Sequence, residues 1–253
     1  MNIHFLSFGT TWNYNGALQR VGKQVSEWKT SQDTSVFKTV SICTEQTLVK
    51  QFPDFIQTHL NFFQTHPRGF GYWLWKSFLI QQCLNAIPKD HVLFYMDAGC
   101  QLNLQASKRF CEYYSLAMDA GLLCFQVGMP EYEWCKGDTA DLIVQNDQEI
   151  MSQSQIVGGI HMIKNTEFNQ QLVAEWQRIA CLDGYRYLTD SPSIVVNHSN
   201  FKEHRHDQAI FSLLVKKHNQ YHALSDETWK PNWHVDGLDY PIWATRNHSI
   251  NLI

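Results

Sequence analysis

Three short stretches of this sequence gather residues able to do chemistry. In Val92-Leu93-Phe94-Tyr95-Met96-Asp97-Ala98-Gly99-Cys100, an apolar run ends at one carboxylate, a small residue and a glycine. That pattern predicts a buried strand delivering Asp97 to a sheet edge, where glycine lets a ligand approach the backbone closely. A turn or a helix cap explains a lone aspartate equally well, so its neighbours must decide. The second stretch, Arg68-Gly69-Phe70-Gly71-Tyr72-Trp73-Leu74-Trp75-Lys76, is glycine-rich and aromatic and runs into a helix. Helix amino ends and cations both favour phosphate, which makes Arg68 and Lys76 candidates for a diphosphate. The third is His204-Arg205-His206-Asp207-Gln208, just before an apolar helix. Asp207 suits the cap of that helix, but capping needs only one of these residues. Histidines beside an aspartate also supply what a divalent metal or a general base requires.

Other candidates are more dispersed. Glu131, Glu133, Asp138 and Asp141 follow a strand pattern and include candidate acceptor-binding carboxylates, although such charges commonly just face solvent. The paired Gly158 and Gly159 interrupt an apolar run, which marks a bulge or a close backbone approach. His234, with Asp236 and Asp239 nearby, is a candidate metal or phosphate contact in a Trp-rich tail. The chain has no phosphate-binding Gly-x-x-x-x-Gly-Lys-Ser/Thr loop and no Gly-x-Gly-x-x-Gly after a strand. It also lacks a Gly-x-Ser-x-Gly elbow and a His-Glu-x-x-His helix, which argues against common hydrolase and zinc-protease schemes.

Bulk properties narrow the classes further. With 253 residues, a net charge of −4 and 17% charged residues, the chain lacks the basic excess of a general nucleic-acid binder. Much of its 9 Trp, 10 Tyr and 15 Phe must belong to the core, but such rings also stack on sugars and bases. Seven scattered cysteines without a Cys-x-x-Cys pair indicate reduced thiols rather than disulfides or structural zinc. The opening Met1 to Gly9 has neither a charged leader nor the length of a membrane span, so a cytoplasmic location is expected. Exposed aromatics leave room for peripheral membrane association.

These residues need a frame. Strands are predicted over Ile3–Phe8, 35–42, Val92–Met96, 121–127 and Gln155–Ile163. Helices are predicted over Leu18–Trp28, through Phe78 to Leu84, and over Ser107–Ala120, 166–182 and Ala209–His218. Residues 52–66 read as short helical turns, 129–143 as a functional loop and short helix, and the tail from Asp226 as irregular. A strand, a helix and a strand in succession imply a parallel pair. The fold class is therefore α/β, with a mostly parallel central sheet flanked by helices. No linker or repeat divides residues 1–253.

The motifs in this order resemble nucleotide-sugar glycosyltransferases of the GT-A fold, in particular small bacterial capsule and lipopolysaccharide sugar transferases. The resemblance rests on Ile3 to Thr10, Gly69 to Lys76, Phe94 to Gly99, Gln155 to Asn165, and His204 to Leu214. It implies a hexosyltransferase-type enzyme working at the inner face of the cytoplasmic membrane. Its donor would be a nucleoside-diphosphate sugar, UDP-sugar foremost, and its acceptor a glycan or glycolipid. Residues 1–100 would form the nucleotide-sugar-binding half and 101–253 the acceptor-binding half. Thr10 would meet the nucleoside, and Arg68 and Lys76 the diphosphate or sugar. Asp97, Ala98 and Gly99 stand where such enzymes carry Asp-x-Asp. Gly158 and Gly159 would leave room for the sugar, and Asp207 and Gln208 would line the site. An inverting reaction would use Asp207 or Glu131 as base, whereas in a retaining one the departing phosphate can take the proton. Asp-x-Asp is incomplete here, so Mn²⁺ or Mg²⁺ would need Asp97 together with His206, His234 or Asp207. Otherwise arginine and lysine stand in for metal. The alternatives are a sugar nucleotidyltransferase, which would want a cation in Gly9-Thr10-Thr11-Trp12-Asn13-Tyr14, or a non-catalytic carbohydrate- or nucleotide-sugar-binding protein.

Overall fold

The computed structural model describes residues 1–30 and 32–252. Its first part runs β1 (Ile3–Phe8), α1 (Thr11–Glu27), β2 (Val40–Cys43), α2 (Glu45–Gln51), α3 (Pro53–Thr65), α4 (Gly69–Tyr72), α5 (Leu74–Ala86) and β3 (Val92–Met96). Next come β4 (Gln101–Leu102), α6 (Ser107–Ala120), β5 (Leu122–Pro130), α7 (Glu131–Trp134), α8 (Gly137–Val144) and α9 (Gln148–Ser152). The chain closes with β6 (Ser154–Ile156), β7 (Ile160–Lys164), α10 (Glu167–Tyr185), α11 (His206–His218), β8 (His222–Ser225), α12 (Trp233–Asp236) and β9 (Ile242–Trp243).

The α/β expectation is met by a seven-stranded sheet in the order β2-β1-β3-β7-β5-β6, with β8 also paired to β5. β1 runs parallel to β2 and β3, and β5 parallel to β8, while β7 is antiparallel to both β3 and β5. Leu123 pairs with both Met162 and His222, and Gln126 with both Ile156 and Ser225. β6 and β7 therefore share one flank of β5, as a single line of chain broken at Val157-Gly158-Gly159.

Helices cover both faces, which is why β3 is apolar without alternation. Leu93 and Tyr95 pack into the core beneath α3, α5, α10 and α11. Val92, Phe94 and Met96 enter the opposite core, against α1 and α6. The stretch read as short helical turns over 52–66 is one continuous helix, α3 (Pro53–Thr65), with Pro53 in its first turn, where a missing N–H costs nothing. Helix α1 starts earlier than its apolar spacing predicts. The Glu45 carboxylate accepts the Thr11 N–H at 2.9 Å, a long-range cap invisible to local pattern.

The segment before α5 is unusual. Gly69, Phe70, Gly71, Tyr72 and Trp73 all have positive φ, from 49° to 74°. The three with side chains each pay about 1–2 kcal/mol for that conformation. Packing offsets the cost. The Phe70 ring stacks on Phe63 at 4.7 Å, the Trp75 indole N–H donates to the Gly69 carbonyl, and the Tyr72 hydroxyl donates to Asp190.

Candidate active site

The ends of β1 and β3, the left-handed segment and the break between β6 and β7 converge on one cleft of about 760 Å³. Thr10, Arg68, Lys76, Asp97, Ala98, Gly99, Gly158, Gly159, His206, Asp207 and Gln208 all line it. Residues separated by up to 198 positions are thus brought together.

At its floor lies Lys76, 2% exposed. Its ammonium sits 2.9 Å from Asp207 Oδ2, 3.5 Å from Asp97 Oδ1, and donates to the Gly158 carbonyl at 2.9 Å. Three oxygens thus surround a group with three N–H donors. Burial pulls the ammonium toward losing its proton, but the Asp207 and Asp97 carboxylates outweigh this and hold its pKa above the ordinary lysine value. Burial likewise pushes the Asp207 carboxyl up to about 6, against the opposing pull of Lys76. Asp97 differs, with 38% of its side chain exposed. Its Oδ1 accepts a hydrogen bond from the Tyr95 hydroxyl, and its backbone N–H donates to the Gly159 carbonyl. Its Oδ2 passes so close to Gly159 that a Cβ there would sit 2.5 Å away. The glycine pair therefore makes room for the carboxylate.

Gly158 is fixed from behind. Its N–H donates to Gln208 Oε1, the Gln208 amide donates to Gln155, and Gln155 donates to Glu131. Glu131 is fully buried, takes an ion pair from Lys216 at 2.6 Å and also accepts from the Ser212 hydroxyl. It lies off the cleft, where it anchors a hydrogen-bond chain, and is not positioned as a base. Its neighbours on the sequence are equally committed: Asp138 pairs with Arg186 and Glu133 with Lys202.

His206 packs its ring against Tyr72 and Trp73, and its Nδ1 bonds the Leu188 carbonyl, so Nδ1 carries the proton. Nε2 is buried without a hydrogen-bond partner. His234 is elsewhere, on α12, edge-on to the Trp243 ring, and does not line the cleft. The implied Mn²⁺ or Mg²⁺ is poorly matched by these donors. Such ions take six oxygen ligands, one or two of them usually protein carboxylates free to bind the metal, whereas here an ammonium occupies the space between the two carboxylates. Among the described residues, no three His, Cys, Asp or Glu side chains come together as a ligand group.

Several further residues line the cleft that the sequence did not mark as site residues individually, although Arg205 lies within the His204–Gln208 stretch. Arg205 stacks on the Trp134 ring at 4.2 Å and pairs with Glu203. Burial lowers its pKa, Glu203 raises it, and the nearby Arg246 and Arg68 guanidiniums lower it further. Three guanidiniums therefore share the field of one cleft. Arg246 arrives from the tail because the Thr245 hydroxyl and the Asn247 N–H both donate to the Gly99 carbonyl. The buried Arg20 completes this clasp, donating to the carbonyls of Ala98, Cys100 and Asn247. Trp12 and Trp229 also line the cleft, 63% and 58% exposed. Trp229 is held by an Asp226 turn, whose carboxylate accepts its N–H at 3.1 Å.

No known protein family and no curated protein matches the sequence. Among solved structures, the chain is similar to a glycosyltransferase involved in the glycosylation of the major capsid of PBCV-1, at 8% identity. The alignment covers 95% of this chain and 91% of that one, with a TM-score of 0.51. Its structural neighbours are glycosyltransferases. A second, mouse xyloside xylosyltransferase 1 in its apo form, shares 13% identity over 92% of this chain and 89% of that one, with a TM-score of 0.48. At such identities the likeness is one of fold. No helix among the described residues is long and apolar enough to cross a membrane.

Proposed function

We propose that the protein is a glycosyltransferase that moves a sugar from a nucleoside-diphosphate donor, UDP-sugar foremost, to a hydroxyl of a glycan or glycolipid acceptor. The observation that carries this reading is the pairing, in one cleft, of two lysine-held carboxylates with three guanidiniums. Carboxylates suit sugar hydroxyls, and guanidiniums suit phosphate oxygens, with which they make paired charge-assisted hydrogen bonds. Position supports it as well: the site lies beyond the carboxyl ends of parallel strands, where open α/β sheets bind ligands. The fold shared with a capsid-glycosylating enzyme agrees with this assignment, which rests on the site itself.

Transfer requires stabilisation of the charge that builds on the departing diphosphate, and an acceptor hydroxyl held against the anomeric carbon. In this reading the guanidiniums take the first role and the cleft walls the second. Asp207, with a carboxyl near 6, accepts the acceptor proton, since a base is most effective when its pKa lies close to the working pH. The exposed Trp12 and Trp229 at the lips offer flat faces to a nucleobase or a sugar.

The test is release of the leaving nucleotide, UDP or GDP from UDP- and GDP-linked sugars and CMP from CMP-linked ones, read by mass spectrometry with oligosaccharide acceptors. Turnover of one donor, abolished in Asp207→Asn, is the expected result. Binding of a donor without turnover on any acceptor would favour the non-catalytic reading.

A further inference from the structure

Taking the cleft as a nucleotide-sugar site, as argued above, we infer that it works without a divalent ion. Lys76 is its built-in cation, Asp97 serves a sugar hydroxyl, and Arg205 and Arg246 carry the diphosphate.

The geometry of Lys76 is the first support. A metal bridging a diphosphate must reach carboxylate oxygens that are otherwise unneutralised. Here the ammonium already lies within 2.9 Å of Asp207 and 3.5 Å of Asp97, and the Gly158 carbonyl takes its remaining donor. The aromatic faces of Trp75 and Tyr95 flank it at 5.8 and 5.5 Å. Cation, carboxylates and rings fill the floor, and Lys76 is too buried to swing out. Asp97 Oδ1 is further occupied by the Tyr95 hydroxyl, which leaves one oxygen, Oδ2, beside Gly159 and open to the cleft. That oxygen can accept a sugar hydroxyl, whereas a cation there would meet the ammonium already 3.5 Å from the same carboxylate.

The second support is where the unneutralised positive charge sits. Arg68 already pairs with Asp190 at 3.2 Å, and Arg205 with Glu203 at 3.0 Å. No ion pair within 4.0 Å engages Arg246 among the described residues, although it lines the same cleft from a residue with φ of 53°. A guanidinium presented this way, beside the half-buried Arg205, forms a two-pronged phosphate contact. It also replaces the charge that a metal would otherwise bring.

Isothermal titration of the whole protein with UDP, GDP and CMP, in Mn²⁺, in Mg²⁺ and in EDTA, tests this. One nucleotide should bind with the same affinity in all three, and Mn²⁺ alone should give no heat. Arg246→Ala, at an exposed position that leaves the fold intact, should weaken that binding about tenfold in EDTA. Binding that vanishes in EDTA and returns with Mn²⁺ would overturn the metal-free inference while leaving the nucleotide site standing. Unchanged affinity in Arg246→Ala would overturn the assignment of the diphosphate. No binding under any condition would overturn the transferase reading and this inference with it.

Discussion

Replacing Lys76 by methionine removes a single buried charge and leaves two carboxylates facing each other. Breaking one side of a buried ion pair costs about 3–5 kcal/mol, because the remaining charge is stranded. Lys76 lies in that regime at 2.9 Å from Asp207, with both groups buried. The loss should depend on pH in a definite direction. Asp207 already has a carboxyl raised to about 6 from 3.8, and losing its positive neighbour raises it further. A raised carboxyl stabilises the fold fully below its unfolded value and loses that contribution as pH rises through its folded value. The deficit of Lys76→Met relative to wild type should therefore be full at pH 8 and should shrink toward pH 5, where Asp207 takes up a proton instead. Adding Asp207→Asn removes the stranded charge, so the double variant should be more stable at pH 8 than the sum of the two single losses, by about 1–3 kcal/mol. Urea denaturation followed by circular dichroism at both pH values measures all four proteins. Additive losses, or a Lys76→Met deficit equal at pH 5 and pH 8, would refute the assignment of Lys76 as the counter-ion of Asp207.

Gly159→Ala should displace Asp97, since a Cβ there would lie 2.5 Å from Oδ2; donor affinity should fall in calorimetry while the melting temperature changes little. Lys216→Met should cost about 3–5 kcal/mol by urea denaturation, because it strands the fully buried Glu131. Trp229→Ala should leave the melting temperature unchanged, since the ring is 58% exposed, and should raise the KM for donor or acceptor. Stability should also fall as pH drops below 6.5. Burial lowers the pKa of His161 and His204 to about 3, so only the unfolded chain takes up those protons. By pH 5 each should have removed about 2 kcal/mol, read from the urea midpoint.

The apolar β3 ending at Asp97, and the cation at the head of α5, were legible because each is a local pattern with a short-range physical cause. The Gly158-Gly159 break was legible too, since only a bulge or close approach asks for paired glycines in a strand. Glu131 misled for the opposite reason. A carboxylate after a strand reads as a loop charge, and its burial depends on Lys216, 85 positions away. Helix α1 begins at Thr11 through Glu45, again a partner from another element. The tail was the least legible part. Nothing periodic announces that residues 245–247 return to Gly99, because that return rests on Arg20 reaching three carbonyls across the fold. Arg246 thus enters the cleft through long-range hydrogen bonds that no window of sequence contains.

The central claim is that this one cleft holds the donor nucleotide, and a crystal structure grown with UDP in EDTA tests it most directly. The account predicts the diphosphate against Arg205 and Arg246, with Lys76 still between Asp97 and Asp207. A nucleotide bound elsewhere on the surface, or one whose phosphates lie against Asp97 through a scavenged metal ion, would contradict it.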